Sequence, residues 1–267
     1  ARIARVVTIH DLVWKHAGET MRPINRWLDA TLMPEAVRLA DRIITVSSHT
    51  ATDLLREMPN AQGKVHSIPL GVSSLALAAP RESLASLGLF EPYFLFVGTL
   101  EPRKNLTRLL EAFSRLPDSL RYSAVLAIAG GRGWGGVDIS TVVEKYGLQD
   151  RVRVLGYVSD EQLSSLYTHA LFLAMPSLYE GFGLPLIEAM SRGTSVLTSN
   201  CASMPEVAGD AGILVAPNDV GSITQGLLEL LSNDVQRGVL ASRAIANSER
   251  FSWTRAAENT MKIFDDA

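Results

Sequence analysis

The chain has 267 residues, enough for one large domain or two ordinary ones and too many for a small disulfide scaffold. Hydrophobic residues make up 47% and charged residues 20%, which fits a packed interior and excludes a disordered chain. Lys plus Arg number 25 and Asp plus Glu 28, a net charge of −3, so nothing global points to nucleic acid as a partner.

Short apolar runs, often β-branched, lie at 6–9, 43–46, 94–97, 125–129, 152–155, 171–175, 195–198 and 213–215. They are nearly continuous instead of alternating, the pattern of parallel strands buried on both faces. Helical patterns fall between most of them. Leu106, Leu109, Leu110 and Phe113 form one apolar stripe, and Leu163, Leu166 and Tyr167 form another. This alternation predicts an α/β fold of parallel, doubly wound sheets.

A break follows Pro69-Leu-Gly-Val72, where small residues interrupt the rhythm. The expected organisation is a partial N-terminal Rossmann-like domain over 1–72 and a linker over 73–88. A complete Rossmann-like domain follows over 89–249, then a closing helix over 250–267 that Ser252 can cap. The chain opens with Ala1 and runs almost at once into a strand, as expected of a chain entered partway through.

The segment Pro176-Ser-Leu-Tyr-Glu-Gly-Phe-Gly-Leu-Pro-Leu-Ile-Glu-Ala-Met190 carries the most chemistry. It follows a strand, so it sits at a carboxyl edge, where open α/β sheets bind ligands. Gly181 and Gly183 permit close approach, Pro185 suits the start of a helix and Gly193 its end. The amides of Phe182, Gly183 and Leu184 then cluster at a helix N-terminus, an anion site suited to a diphosphate. Glu188, expected in the first turn, can accept a pair of sugar hydroxyls, and Glu180 can reach the group beyond the diphosphate. A tight strand-to-helix turn with no ligand would read the same way.

A second such loop is Val97-Gly-Thr-Leu-Glu-Pro-Arg-Lys-Asn105. Arg103 offers a bidentate fork for phosphate, Lys104 a point charge, and Asn105 a cap for the next helix. Gly131-Arg-Gly-Trp-Gly-Gly136 fits a dinucleotide fingerprint, but it is not the chain's first strand-to-helix turn. No acidic partner closes a strand about 20 residues on. A loop flanking a nucleotide pocket fits it better. His10-Asp11 ends the first strand, where a histidine can donate a hydrogen bond, act as a base or simply pack. No D-x-D, no histidine pair with metal-ligand spacing, no nucleophile elbow and no Walker loop occurs. The single cysteine, Cys201, rules out an internal disulfide and suits a reducing compartment. No apolar run approaches the ~20 residues of a membrane span.

Glu180-Gly-Phe-Gly-Leu-Pro-Leu-Ile-Glu188 resembles the E-x7-E motif of retaining GT-B glycosyltransferases, in particular family four with its many bacterial mannosyl- and glucosyltransferases. Thr8-Ile-His-Asp-Leu12, Ile44-Thr-Val-Ser47, Ile68-Pro-Leu-Gly-Val72, Val97–Asn105, Gly130–Trp134, Val154-Leu-Gly-Tyr157 and Met204-Pro-Glu-Val-Ala-Gly-Asp210 look like further family blocks in family order. The resemblance implies two Rossmann-like domains facing a cleft, with a nucleotide sugar held mainly by the second. It implies that Arg103 and Lys104 bind the donor diphosphate and that Glu188 binds the ribose. Amides of Gly181, Phe182, Gly183 and Leu184 would hold phosphate and sugar, and Tyr157 and Val158 would line the base. Glu180 would contact the transferred sugar, with His10 facing its reacting carbon. Thr99 stands where a number of relatives carry an arginine. No metal or other cofactor is implied. The expected donor is a GDP-sugar, with a UDP-sugar the other choice, and the acceptor a glycan or lipid-linked molecule. The expected place of work is the cytoplasm, with peripheral membrane contact open. A GT-B sugar-nucleotide epimerase and a nucleotide-sugar-binding remnant without turnover are the competing readings.

Overall fold

The structure, a computed structural model, describes residues 3–72, 76–135 and 138–267. Residues 73–75 of the expected linker, and with them part of the expected domain boundary, lie outside the described residues, as does Gly136 of the glycine-rich loop.

Two parallel sheets form among the described residues. The first has three strands, β1 (Val6–Ile9), β2 (Arg42–Thr45) and β3 (Val65–Ser67), in the order β1-β2-β3. The second has six: β4 (Tyr93–Val97), β5 (Val125–Ala129), β6 (Val152–Gly156), β7 (Leu173–Met175), β8 (Val196–Ser199) and β9 (Gly212–Val215). Their order is β6-β5-β4-β7-β8-β9, with every pairing parallel. Renumbered from its own first strand, that is the Rossmann order, and the direction of winding reverses between β4 and β7.

The continuous apolar runs follow from burial on both faces. Along β4, Tyr93, Leu95 and Val97 enter one core, while Phe94 and Phe96 enter the other. On β5, Val125, Ala127 and Ala129 take the first side, and Leu126 and Ile128 the second. The helices Asp160–His169, Leu184–Ser191 and Asp234–Ser248 cover the first face. Leu106–Ser114, Ile139–Lys145 and Val220–Ser232 cover the second. Phe94 is central there, edge-on to Phe113 at 5.0 Å and stacked on Phe172 at 5.2 Å between ring centroids. Arg81–Leu87 forms a 3₁₀ segment whose Leu84 enters the first of these cores.

The last helix, Trp253–Asp265, is capped by the Ser252 side chain. Its Ala256 and Ile263 pack on Ile44 and Ile68 of the first sheet's region, so the chain ends on the domain where it began. The two sheets therefore share one continuous body with a cleft between their carboxyl edges.

Candidate functional site

The reversal of winding puts the loops after β4 and β7 side by side, at the point where doubly wound sheets open a crevice. The loop after β4 holds Arg103 and Lys104, and the loop after β7 holds Glu180. Glu180 is 6% exposed. Arg103 lies 2.5 Å from its Oε2, and Lys104 Nζ lies 2.7 Å from its Oε1. The same Arg103 nitrogen donates to the Tyr179 carbonyl at 2.9 Å, and the Leu178 amide donates back to the Arg103 carbonyl at 2.8 Å. Glu101 adds a longer ion pair to Arg103 at 3.6 Å. Burial works against a charge on Glu180, but Lys104 and Arg103 outweigh it and hold its carboxyl below the usual range. Burial also opposes the charge on Arg103, and Glu180 outweighs that penalty and raises its pKa. Glu180 is thus ionised at neutral pH, with a basic side chain on each of its two oxygens.

Gly183 sits at φ 99°, in the left-handed region, and starts the helix Leu184–Ser191. Pro185 falls in its first turn, and the left-handed Gly193 follows its end. Glu188 is the fifth residue of this helix, so it stands in the second turn and not the first, because the helix begins at Leu184, one residue before Pro185. It accepts a hydrogen bond from the buried Tyr167 hydroxyl at 2.9 Å. Burial raises the Glu188 carboxyl above its usual range, against the pull of that hydrogen bond.

Asn105 also departs from expectation. It stands at the helix start in a left-handed conformation, φ 61°, but its side chain does not cap the helix. Its Nδ2 instead donates to the carbonyls of Pro176 at 2.9 Å and Pro217 at 2.7 Å. A buried amide there ties together the loops that follow β4, β7 and β9.

The other domain closes over this loop pair. A Cβ on Gly181 would collide with the His10 carbonyl oxygen, so the end of β1 and the Glu180 turn are in direct backbone contact. His10 itself is exposed at that junction. The cleft holds a cavity of about 500 Å³ lined from one side by Asp11, Asn25 and Asp29 and from the other by Thr99, Arg103 and Trp134. Burial, and secondarily Asp11, raise the Asp29 carboxyl above its usual range. A second cavity of about 610 Å³ is walled by the glycine-rich loop, Asp138, Gly156 and Tyr157. Tyr157 is fully open there, whereas the Val158 side chain turns into the core and does not line that cavity. Among the described residues no group of three or more His, Cys, Asp or Glu side chains could hold a metal ion. Cys201 is a half-buried free thiol.

Sequence reasoning missed the residues that join the domains. Asp53, 2% exposed, accepts from the Tyr179 hydroxyl at 2.8 Å and pairs with His49 at 3.0 Å and Arg56 at 2.7 Å. Thr50 donates to the Gly181 carbonyl at 3.3 Å. Glu206 accepts from the Ser48 and His49 amides at 3.0 and 3.2 Å. The available signal was small: Thr50, Asp53 and Leu54 are buried at helical spacing on Ser48–Glu57, which places an aspartate where an apolar residue is expected.

This fold, with its site at the winding reversal and a second Rossmann-like unit across the cleft, defines the GT-B class of glycosyltransferases. The chain belongs to the glycosyl transferases group 1 family, whose model matches residues 85–250, while the Glycosyltransferase Family 4 model matches residues 1–74. It is similar to the O-antigen chain mannosyltransferase B of Escherichia coli, 36% identical over 90% of this chain and 64% of that relative. It is also similar to the MMP alpha-(1->4)-mannosyltransferase of Mycolicibacterium hassiacum, 31% identical over 91% of this chain and 59% of that one. The chain therefore spans about three fifths of the length of these two relatives. Among solved structures, a sucrose-phosphate synthase from Thermosynechococcus elongatus superposes with TM-score 0.82 at 26% identity, covering 98% of this chain and 67% of that one. HepE from Anabaena, determined with UDP and glucose, shares the fold with TM-score 0.82 at 21% identity, covering 99% and 72%. No helix of the described residues is long and apolar enough to cross a membrane.

Proposed function

We propose that the chain is the donor-binding part of a retaining glycosyltransferase. It moves a hexose, with mannose favoured, from a nucleotide diphosphate sugar to a glycan or lipid-linked acceptor in bacterial polysaccharide synthesis. The observation that carries this reading is the Arg103–Glu180–Lys104 cluster beside the N-terminus of Leu184–Ser191, at the carboxyl edge of β4 and β7. The mannosyltransferase names among the relatives favour mannose, and with it a GDP-sugar over a UDP-sugar.

In this reading the departing nucleoside diphosphate develops negative charge between Arg103, Lys104 and the amides of Gly181, Phe182, Gly183 and Leu184. Fixed cations and a helix N-terminus stabilise that charge without reorganising as it forms. Glu188 accepts ribose hydroxyls, Tyr157 covers the base, and Thr99 stands at the mouth. Glu180, kept ionised by its two cations, cannot donate a proton at neutral pH. It offers a fixed negative charge to the sugar as positive charge grows on the anomeric carbon. His10 meets the same sugar from the facing domain. No metal takes part, and the work is done in the cytoplasm, with peripheral contact at the membrane's inner face.

Calorimetric titration with GDP-mannose and UDP-glucose tests the site. Lys104→Ala and Glu188→Ala should each weaken nucleotide binding about tenfold or more, as loss of a charge-assisted contact does. Parent-like affinity in both variants would show that the site is elsewhere. Product analysis with donor alone separates transfer from epimerisation, which needs no acceptor.

A further inference from the structure

The helix Ser48–Glu57 of the first domain meets the second domain through four of its residues. Ser48 and His49 donate backbone amides to Glu206, Thr50 donates its hydroxyl to the Gly181 carbonyl, and Asp53 accepts from the Tyr179 hydroxyl. Two of these contacts fall on the residues flanking Glu180. Tyr179 precedes it and Gly181 follows it, so the turn that presents Glu180 is held from both sides by the opposite domain.

The Tyr179 contact is the more deeply built. The Tyr179 ring is 6% exposed, stacks on His16 at 5.4 Å between centroids and meets the His49 ring edge at 6.1 Å. Its hydroxyl donates to a carboxylate that is itself 2% exposed. Burial, reinforced by Asp53, pushes the Tyr179 hydroxyl far above its usual range, so it stays a donor at any ordinary pH. Asp53 is in turn fixed by His49 and Arg56. On its backbone side, Tyr179 accepts from the guanidinium that grips Glu180. One residue thus links a buried carboxylate of the first domain to the Arg103–Glu180 pair of the second.

Resting on the glycosyltransferase reading above, we infer that Tyr179 is a positioning residue: its hydrogen bond to Asp53 couples closure of the two domains to the placement of Glu180. With the domains together, the Tyr179 hydroxyl is anchored and the Glu180 turn is held. With them apart, that turn loses both tethers, although Arg103 and Lys104 still pair with its carboxylate. The reaction would then run at full rate when the domains have closed, which keeps a loaded donor from being spent on water in the open cleft.

Tyr179→Phe removes one oxygen and leaves the ring stack. With GDP-mannose and an α-mannose oligosaccharide, kcat should fall about tenfold or more while both KM values change less than about twofold, and Tm should drop by no more than several degrees because His49 and Arg56 still pair with Asp53. Asp53→Asn, which still offers an oxygen to the Tyr179 hydroxyl, should keep most of the parent kcat. Asp53→Ala should match Tyr179→Phe, and the double variant should be no slower than either, as expected for partners in one interaction. Additive losses, or a parent-like Tyr179→Phe, would overturn the inference. Amide hydrogen exchange without substrate gives a readout apart from turnover: residues 180–184 should exchange about tenfold faster in Tyr179→Phe than in the parent. Unchanged exchange rejects the coupling. If the parent transfers no hexose from either donor, the functional reading fails, and the exchange comparison alone decides the coupling.

Discussion

Gly181→Ala tests whether the two domains work in contact. The new Cβ would collide with the His10 carbonyl oxygen and lie 2.8 Å from the Asp11 Cβ. The nearest obstacle is backbone, which has no rotamer to yield. Gly181 is not among the residues with positive φ, so alanine adds no local strain and the collision is the whole perturbation. Overpacking of this kind costs about 1–3 kcal/mol. Each domain keeps its own core, so the cheapest relief is for the domains to part. That movement also stretches the Thr50 contact to the Gly181 carbonyl and the Tyr179 contact to Asp53. A penalty of that size lowers the closed-to-open ratio by about 5- to 150-fold. Small-angle scattering should show a larger radius of gyration in the variant, and transfer should slow by a similar factor. Nucleotide binding should change far less, because the Arg103–Glu180–Lys104 cluster and Glu188 all lie within one domain. A variant with the parent's scattering profile and rate would refute the argument that this approach matters.

Two further expectations follow from the buried polar groups. Glu188→Gln removes a charge that burial disfavours and keeps an oxygen for the Tyr167 hydroxyl. Because the folded-state pKa of Glu188 is raised, its contribution is present at low pH and is lost as pH rises through the folded value. The variant should therefore melt higher than the parent at pH 7 and lose that advantage below the ordinary value of 4.5, while nucleotide affinity falls about tenfold or more. Equal melting curves at both pH values would contradict the sign. Asn105→Ala strips donors from the Pro176 and Pro217 carbonyls, at about 1–3 kcal/mol each, and at about 2–4 °C per kcal/mol the Tm should drop by several degrees. Asn105→Gly, which suits the left-handed backbone, should recover little of it. Full recovery would mean that conformation and not hydrogen bonding fixes this residue.

The fold was legible because its strands carry the signal themselves. A run such as 94–97, apolar at every position, has no reading as a half-exposed strand, and both faces of β4 are buried. Arg103, Lys104 and Glu180 were legible as single site residues, each a charged side chain in a loop after a strand. Their pairing was not. It depends on β4 and β7 being neighbours, and the 75 residues between Lys104 and Glu180 say nothing about that until the strand order is known. Glu188 was placed one turn early because a Gly-x-Gly-x-Pro stretch marks a helix start only to within a few residues.

The residues joining the domains were the least legible, for a physical reason. Ser48, Thr50 and Asp53 have the look of an ordinary helix start, with Ser47 accepting from the Thr50 amide as its cap. Asp53 differs from a solvent-facing aspartate only in lying on the buried stripe beside Leu54. Its partners are 126 residues away at Tyr179, and four and three residues away at His49 and Arg56. A buried carboxylate needs all of these together, since removing one partner leaves a charge that burial penalises. Local pattern shows a helix with an odd aspartate. What gives that aspartate meaning is a tyrosine next to Glu180, brought to it by the closing of one domain on the other.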